Sequence, residues 1–159
     1  MILRLVLGVL LVAMALGQLF SFGAMPDILS SYGVTGGAAS TVLAVALVAA
    51  ESAGGVWFLV RPRSRALTPV WIYTGVSVLW AALAVQAFAR GLELDNCGCF
   101  GVYLSQPLRW FVLVEDALML LYAAMLLRGA RRHQANVQKS ASEGRRQRPS
   151  LRTGRRESI

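Results

Sequence analysis

The residues with most chemistry to offer are the only two cysteines, Cys97 and Cys99, and three acids set in apolar surroundings, Glu51, Glu115 and Asp116. The cysteines lie in the string Asp95-Asn96-Cys97-Gly98-Cys99-Phe100-Gly101. Residues i and i+2 of an extended chain have Cα atoms about 6 to 7 Å apart, near the upper limit for a disulfide, and a glycine between them lets the backbone bend. A Cys97–Cys99 bond is therefore allowed but strained. Strain raises the reduction potential, which suits exchange better than stapling, and so small a ring would constrain little chain. Zinc is a competing use of a close cysteine pair, but a structural site needs four ligands and the single histidine, His133, lies in a different segment. One chain alone does not complete such a site. Two inert, buried thiols at a helix end are the third alternative, and the polar Asp95-Asn96 lead-in and flanking glycines fit it poorly.

The elements that position these residues are legible from hydropathy. Apolar residues make up 56% of the 159 positions and charged residues 15%, whereas a soluble domain carries about a quarter charged residues. Four stretches are long enough to cross a hydrocarbon core of ~30 Å, which takes about 20 helical residues. They run from Ile2 to Phe22, Ala38 to Val60, Ala66 to Phe88 and Leu108 to Leu127. The expected fold is thus an all-α membrane protein, a four-helix transmembrane domain over residues 1–127. Arg4 ahead of an apolar run that ends near Gly23 and Ala24 also resembles a secretory signal, but the run is longer than the usual apolar region of such signals, and it is read as a retained span.

Fourteen of the sixteen Lys and Arg residues fall on one side of these spans: Arg4, Arg61, Arg63, Arg65 and the ten from Arg128 onward. Only Arg90 and Arg109 fall on the other. The positive-inside rule then puts both termini in the cytoplasm of a cell membrane and the cysteine loop outside it, where disulfides persist. Trp57 and Trp71 flank the Arg61–Arg65 turn and Trp110 marks the opposite face, as in an aromatic belt. Residues 128–159 turn to Arg, Ser, Gln and Gly, and they are expected to form a disordered basic tail in contact with solvent or anionic lipid. Nothing in the tail interleaves aromatics with the basic residues, so nucleic acid is not the expected partner.

The acids acquire meaning within these spans. A carboxylate at the centre of a membrane helix costs ~2.5 to 3.5 kcal/mol on insertion scales, so each is expected to be paired or functional and to face the bundle interior. Glu51 lies about 14 Å along its helix from Val60 and Glu115 about 10 Å from Leu108, which would let the two approach near mid-bilayer. A shared proton between helices, a proton relay and a polar anchor for a quinone head group are the readings open to them. Glu115 and Asp116 are about 100° apart on one helix and so are not expected to serve the same partner.

Cys97-Gly98-Cys99-Phe100-Gly101 at the outer end of a four-helix membrane protein, followed by Trp110 and an acid early in the last helix, resembles the methylamine utilisation protein MauE family. That family belongs to a wider DoxX-like group of small redox-associated membrane proteins. The resemblance runs from about Leu5 to Leu127 and takes in Glu51 and a short amphipathic element at Met25 to Tyr32. Gln18 stands where relatives often carry a basic residue, and Glu115 precedes Asp116 where a basic residue is common. The resemblance implies help in maturing a periplasmic methylamine dehydrogenase small subunit, a disulfide-rich protein of methylamine degradation, alongside a thioredoxin-like partner. On this reading Cys97 and Cys99 are the redox pair and Gly98, Phe100 and Gly101 its support. One pair cannot carry electrons across a bilayer, so a quinone or a second protein would complete the circuit. A non-catalytic assembly or anchoring subunit and a small transporter are the alternatives.

Overall fold

The computed structural model describes residues 1–64 and 66–147. These form five helices: α1 (Ile2–Phe20), α2 (Met25–Ser31), α3 (Ala38–Val60), α4 (Thr68–Ala89) and α5 (Trp110–Gln147). Four of them, α1, α3, α4 and the Trp110–Arg132 part of α5, are long and apolar enough to cross a membrane. Their outward faces carry Val6, Val9, Val45, Val78, Val85 and Leu121, each about half exposed or more. A soluble bundle would place charge there; apolar residues suit lipid.

Proline sets the start of two helices, Pro26 in α2 and Pro69 in α4, where the missing N–H costs nothing and the fixed φ favours the first turn. Helix α4 ends where Gly91 takes φ +64 and Leu92 N–H returns to the Ala87 carbonyl at 3.0 Å, satisfying a terminal acceptor as the chain leaves for the cysteine loop. Helix α5 corrects one expectation. The segment after Leu127, expected to be disordered from 128 onward, is helical as far as Gln147, and residues 148–159 lie outside the described residues. A span supplies a finished nucleus, and extending it through Arg, Ala, Gln, Lys and Glu costs far less than starting a helix anew.

The helices pack in the order α1 against α3, α3 against α4 and α4 against α5, with α2 laid over α3. Helices α1 and α3 meet backbone to backbone: a Cβ on Gly55 would lie 2.8 Å from Val12 Cγ2 and 3.1 Å from the Gly8 carbonyl oxygen. Glycine allows this close approach, which replaces the hydrophobic drive that lipid does not supply. Tyr73 on α4 ties α5 in by donating from its hydroxyl to the Met119 carbonyl at 3.1 Å. At the arginine end, Arg4 donates to the Ser64 carbonyl and its guanidinium lies 5.8 Å from the centre of the Phe58 ring. The other end holds the cysteine loop.

Candidate functional site

The loop between α4 and α5 is held at almost every polar backbone atom around the cysteines. Its two arms meet where Cys97 N–H donates to the Gln106 carbonyl at 2.8 Å and Leu108 N–H to the Leu94 carbonyl at 2.9 Å. Asn96 folds back on its own loop: Oδ1 accepts from Gly98 N–H and Nδ2 donates to the Gly101 carbonyl, both at 2.9 Å. Gly101 N–H closes a turn on the Gly98 carbonyl at 3.0 Å. The Cys97 carbonyl accepts from the Tyr32 hydroxyl at 2.7 Å, and the Cys99 carbonyl from Gln18 Nε2 at 3.0 Å. Buried backbone groups are rarely left unpaired, and here side chains from α1 and from the end of α2 supply what regular structure does not.

Two glycines of the string are required by their surroundings. Gly98 has φ +84, and a Cβ there would lie 2.8 Å from Ile28 Cγ2. Gly101 has φ +67 and sits directly on the Gly17–Ser21 turn of α1, where a Cβ would collide with Ser21 Oγ and the Gly17 carbonyl. On the α1 side, Gly17 leaves room for the Phe100 backbone, and Ser21 Oγ accepts from Val102 N–H at 3.2 Å. Phe100 itself packs part-buried against the core. Arg90 holds the end of α2 in place by donating to the Tyr32 carbonyl at 3.4 Å, just beyond that helix.

Both cysteines are free thiols. Cys97 is 3% exposed and Cys99 is part-exposed. The polar lead-in suggested more open thiols, but Asn96 spends its amide on the loop and not on solvent, which leaves Cys97 covered. The side chains hydrogen-bond to each other, and this splits their acidities. The Cys99 thiol beside it, helped by the Cys99 backbone N–H, pulls the Cys97 thiol below its ordinary value in spite of burial. Cys99 is pushed well above its own by that same hydrogen bond, by burial, and by the charges of Cys97, Asp116 and Glu51. Tyr32 is also pushed up, first by burial and then by Cys99, Cys97 and Asp116, so its hydroxyl stays a donor. Charge in the reduced pair therefore rests on Cys97.

The acids divide. Glu51 is fully buried in the bundle, its Oε2 accepting from Gln18 Nε2 at 2.8 Å and its Oε1 from Trp80 Nε1 at 2.9 Å. Asp116 is 5% exposed, close enough for its charge to act on both cysteines, and its Oδ2 has no hydrogen-bond partner among the described residues. Glu115 corrects the expectation that all three acids face inward and that Glu51 and Glu115 approach each other. It is exposed and accepts from Gln106 Nε2 at 3.1 Å, because the 100° step that turns Asp116 toward the loop turns its neighbour away. The structure thus gathers Cys97, Gly98, Cys99, Phe100, Gly101, Glu51 and Asp116 at one end of the bundle and leaves Glu115 outside.

Three residues of this site are not picked out as site residues by the sequence: Gln18, which stands out there only as a departure from the family pattern, Tyr32 and Trp80, all buried to within 1%. A glutamine near a helix end reads as interfacial, and a tryptophan in a span as a belt residue. A buried acid with no cation in reach does, however, call for neutral donors, and Gln18 and Trp80 are the two that answer.

The family model for methylamine utilisation protein MauE matches residues 1–129. The methylamine utilization protein MauE of Paracoccus denitrificans is 30% identical over 144 residues, covering 89% of this chain and 74% of that protein. No solved structure matches the chain. The matched region contains the first three apolar helices, the fourth as far as Gly129 and the whole cysteine loop, and the chain, a multi-pass membrane protein, belongs to the methylamine utilisation protein MauE family.

Proposed function

We propose that this protein carries out thiol–disulfide exchange on the outer face of the cell membrane in the service of methylamine utilisation, with Cys97 and Cys99 as the exchanging pair. Its termini lie in the cytoplasm, as fourteen basic residues against two require. The observation that carries the reading is the pair in its setting: two free thiols two residues apart in a loop whose backbone is fixed by Tyr32, Gln18 and Asn96, with the pKa of the Cys97 thiol pulled down and that of the Cys99 thiol pushed up. A purely structural loop has no use for that asymmetry.

The asymmetry also supports a direction. In the oxidised pair, attack at Cys99 expels Cys97, the better leaving group because its thiol is the more acidic. A client thiolate attacks Cys99 Sγ, the Cys97–Cys99 bond breaks, and Cys97 departs as thiolate. A second client thiol, losing its proton, then attacks the mixed disulfide, and Cys99 leaves and takes a proton. The client loses two electrons and two protons; the pair gains both electrons and one proton, and one proton goes to water. A thioredoxin-like disulfide or a membrane quinone, accepting two electrons, restores the pair. By resemblance the client is the methylamine dehydrogenase small subunit.

The test is a trap. With Cys97→Ser the mixed disulfide on Cys99 cannot be resolved internally, so a client or thioredoxin-like partner is expected to accumulate on Cys99 and be identified by mass spectrometry. Cys99→Ser is expected to capture far less. A Cys97→Ser/Cys99→Ser double variant that still supports full maturation of the client overturns the relay and leaves a non-catalytic assembly subunit.

A further inference from the structure

Gln18 stands at the crossing of α1, α3 and the cysteine loop, fully buried, and its amide is used asymmetrically. Nε2 donates both to Glu51 Oε2 at 2.8 Å and to the Cys99 carbonyl at 3.0 Å. Oε1 is buried without a partner among the described residues. The orientation of the amide follows from chemistry: both neighbours are acceptors, so nitrogen must face them and oxygen must face away. Leaving a buried acceptor unsatisfied is costly, and an unsatisfied group inside a native structure calls for a reason. A plain packing residue would have none.

We infer that Gln18 is the positioning residue of the cysteine pair: its amide nitrogen, oriented by Glu51, holds the Cys99 carbonyl and with it the Cys99 sulfur against Cys97. The inference rests on the exchange reading of the pair. Glu51 is the element that makes the orientation single-valued. As a two-oxygen acceptor fixed on its other side by Trp80 Nε1 at 2.9 Å, it accepts nitrogen and repels the amide oxygen. If a donor replaced the Glu51 oxygen, the amide would turn to satisfy its orphan Oε1, and the Cys99 carbonyl would face an oxygen and lose its bond.

The other polar groups around the pair do not share this task. Asp116 acts on the cysteines through its charge, and Tyr32 holds the neighbouring Cys97 carbonyl. Gln18 alone of these side chains bonds to both Glu51 and Cys99. The bond is made with both cysteines as free thiols, and closing a strained Cys97–Cys99 disulfide would have to draw the Cys99 carbonyl away from Gln18, so removing the bond should shift the pair toward the disulfide.

The experiment equilibrates the full-length protein in detergent with glutathione redox buffers and reads the oxidised fraction by alkylation and mass shift. Gln18→Leu deletes both bonds. Glu51→Gln keeps an acceptor for Trp80 while presenting an amide donor that turns Gln18. Each is expected to move the equilibrium toward the disulfide by roughly threefold to tenfold, the worth of one net hydrogen bond. The double variant is expected to move it no further than either alone, since both break the same bond. Thermal unfolding checks that the bundle stays intact, and Glu51→Gln carries the test should Gln18→Leu not fold. No shift, a shift toward the thiols, or additive shifts would each overturn the positioning role. None of these outcomes bears on client maturation, whose failure in the serine variants is read separately.

Discussion

The two ends of this bundle solve the same problem, how to close a turn at the rim of four apolar helices, in opposite ways. At the arginine end the turn after α3 is caught from outside: one long side chain, Arg4, reaches the Ser64 carbonyl and lies over Phe58, with the charge at the rim. At the cysteine end the polar groups go inward. Glu51, Gln18, Asp116 and Ser21 are buried there, and the loop descends until Gly101 lies on the backbone of α1. Rim charges are cheap and replaceable, whereas buried polar networks are costly if a single partner is missing. The difference marks the cysteine end as the one where geometry matters more than stability.

The substitution expected to break this contrast most completely is Glu51→Lys. Lysine would point an ammonium at two donors, Gln18 Nε2 and Trp80 Nε1, with a loss on the order of 3 to 5 kcal/mol for an uncompensated buried charge. The variant should fail to accumulate in membranes, as read by immunoblot. Wild-type levels would mean that water reaches Glu51 and that the cysteine end is not the dry network described.

Next in size is a pair of glycine substitutions. Gly101→Ala adds a Cβ at φ +67 into the Gly17–Ser21 backbone, so strain and overpacking combine to about 2 to 6 kcal/mol. Gly91→Ala has nearly the same φ, +64, but open space around the new methyl, and should cost only about 1 to 2 kcal/mol. Thermal unfolding in detergent separates the two. Equal losses would show that the loop does not rest on α1.

How much of this the sequence revealed depends on which physical quantity carried it. Spans are set by summed transfer free energy, so four helices were legible from apolar length alone. The cysteine string and Glu51 stood out because each is anomalous where it sits. Helical phase was harder: two adjacent acids said that one faces inward, and only packing decided for Asp116 over Glu115. Gln18 was hidden because its importance is relational, arising from contacts 33 and 81 residues away in sequence. The helix through residues 128–147 was missed because a composition argument weighs burial and ignores propagation from a finished span.

A smaller effect, specific to the cysteine end, is expected in the pH dependence of Cys97 alkylation. Thiols react as thiolates, and Cys97 is held below an ordinary thiol chiefly by the Cys99 side chain. Burial slows its reaction with a small alkylating reagent at every pH, but the pH profile of that reaction should lie at lower pH than that of a free cysteine. Cys99→Ala removes the donor and should move the profile to higher pH, whereas Cys99→Ser, which keeps a hydroxyl donor, should move it less. Identical profiles for the two variants would mean that the thiol–thiol hydrogen bond does not set the acidity of Cys97.

The smallest effect tests whether the two ends are independent at all. Arg4→Met removes a rim hydrogen bond and a cation over an aromatic ring, worth about 1 kcal/mol together. Tyr32→Phe removes the donor to the Cys97 carbonyl, worth about as much. Along α1, Arg4 is separated from the Gln18 level by about 21 Å, so the two sites share no partner and their effects on unfolding should add to within about 0.5 kcal/mol. Only Tyr32→Phe should also alter Cys97 alkylation. A non-additive pair, or an Arg4→Met variant whose cysteines titrate differently, would mean that α1 transmits strain along its length through the Gly8–Gly55 and Gly17–Gly101 contacts. The cysteine end would then be one terminus of a coupled rod and not a separately built site.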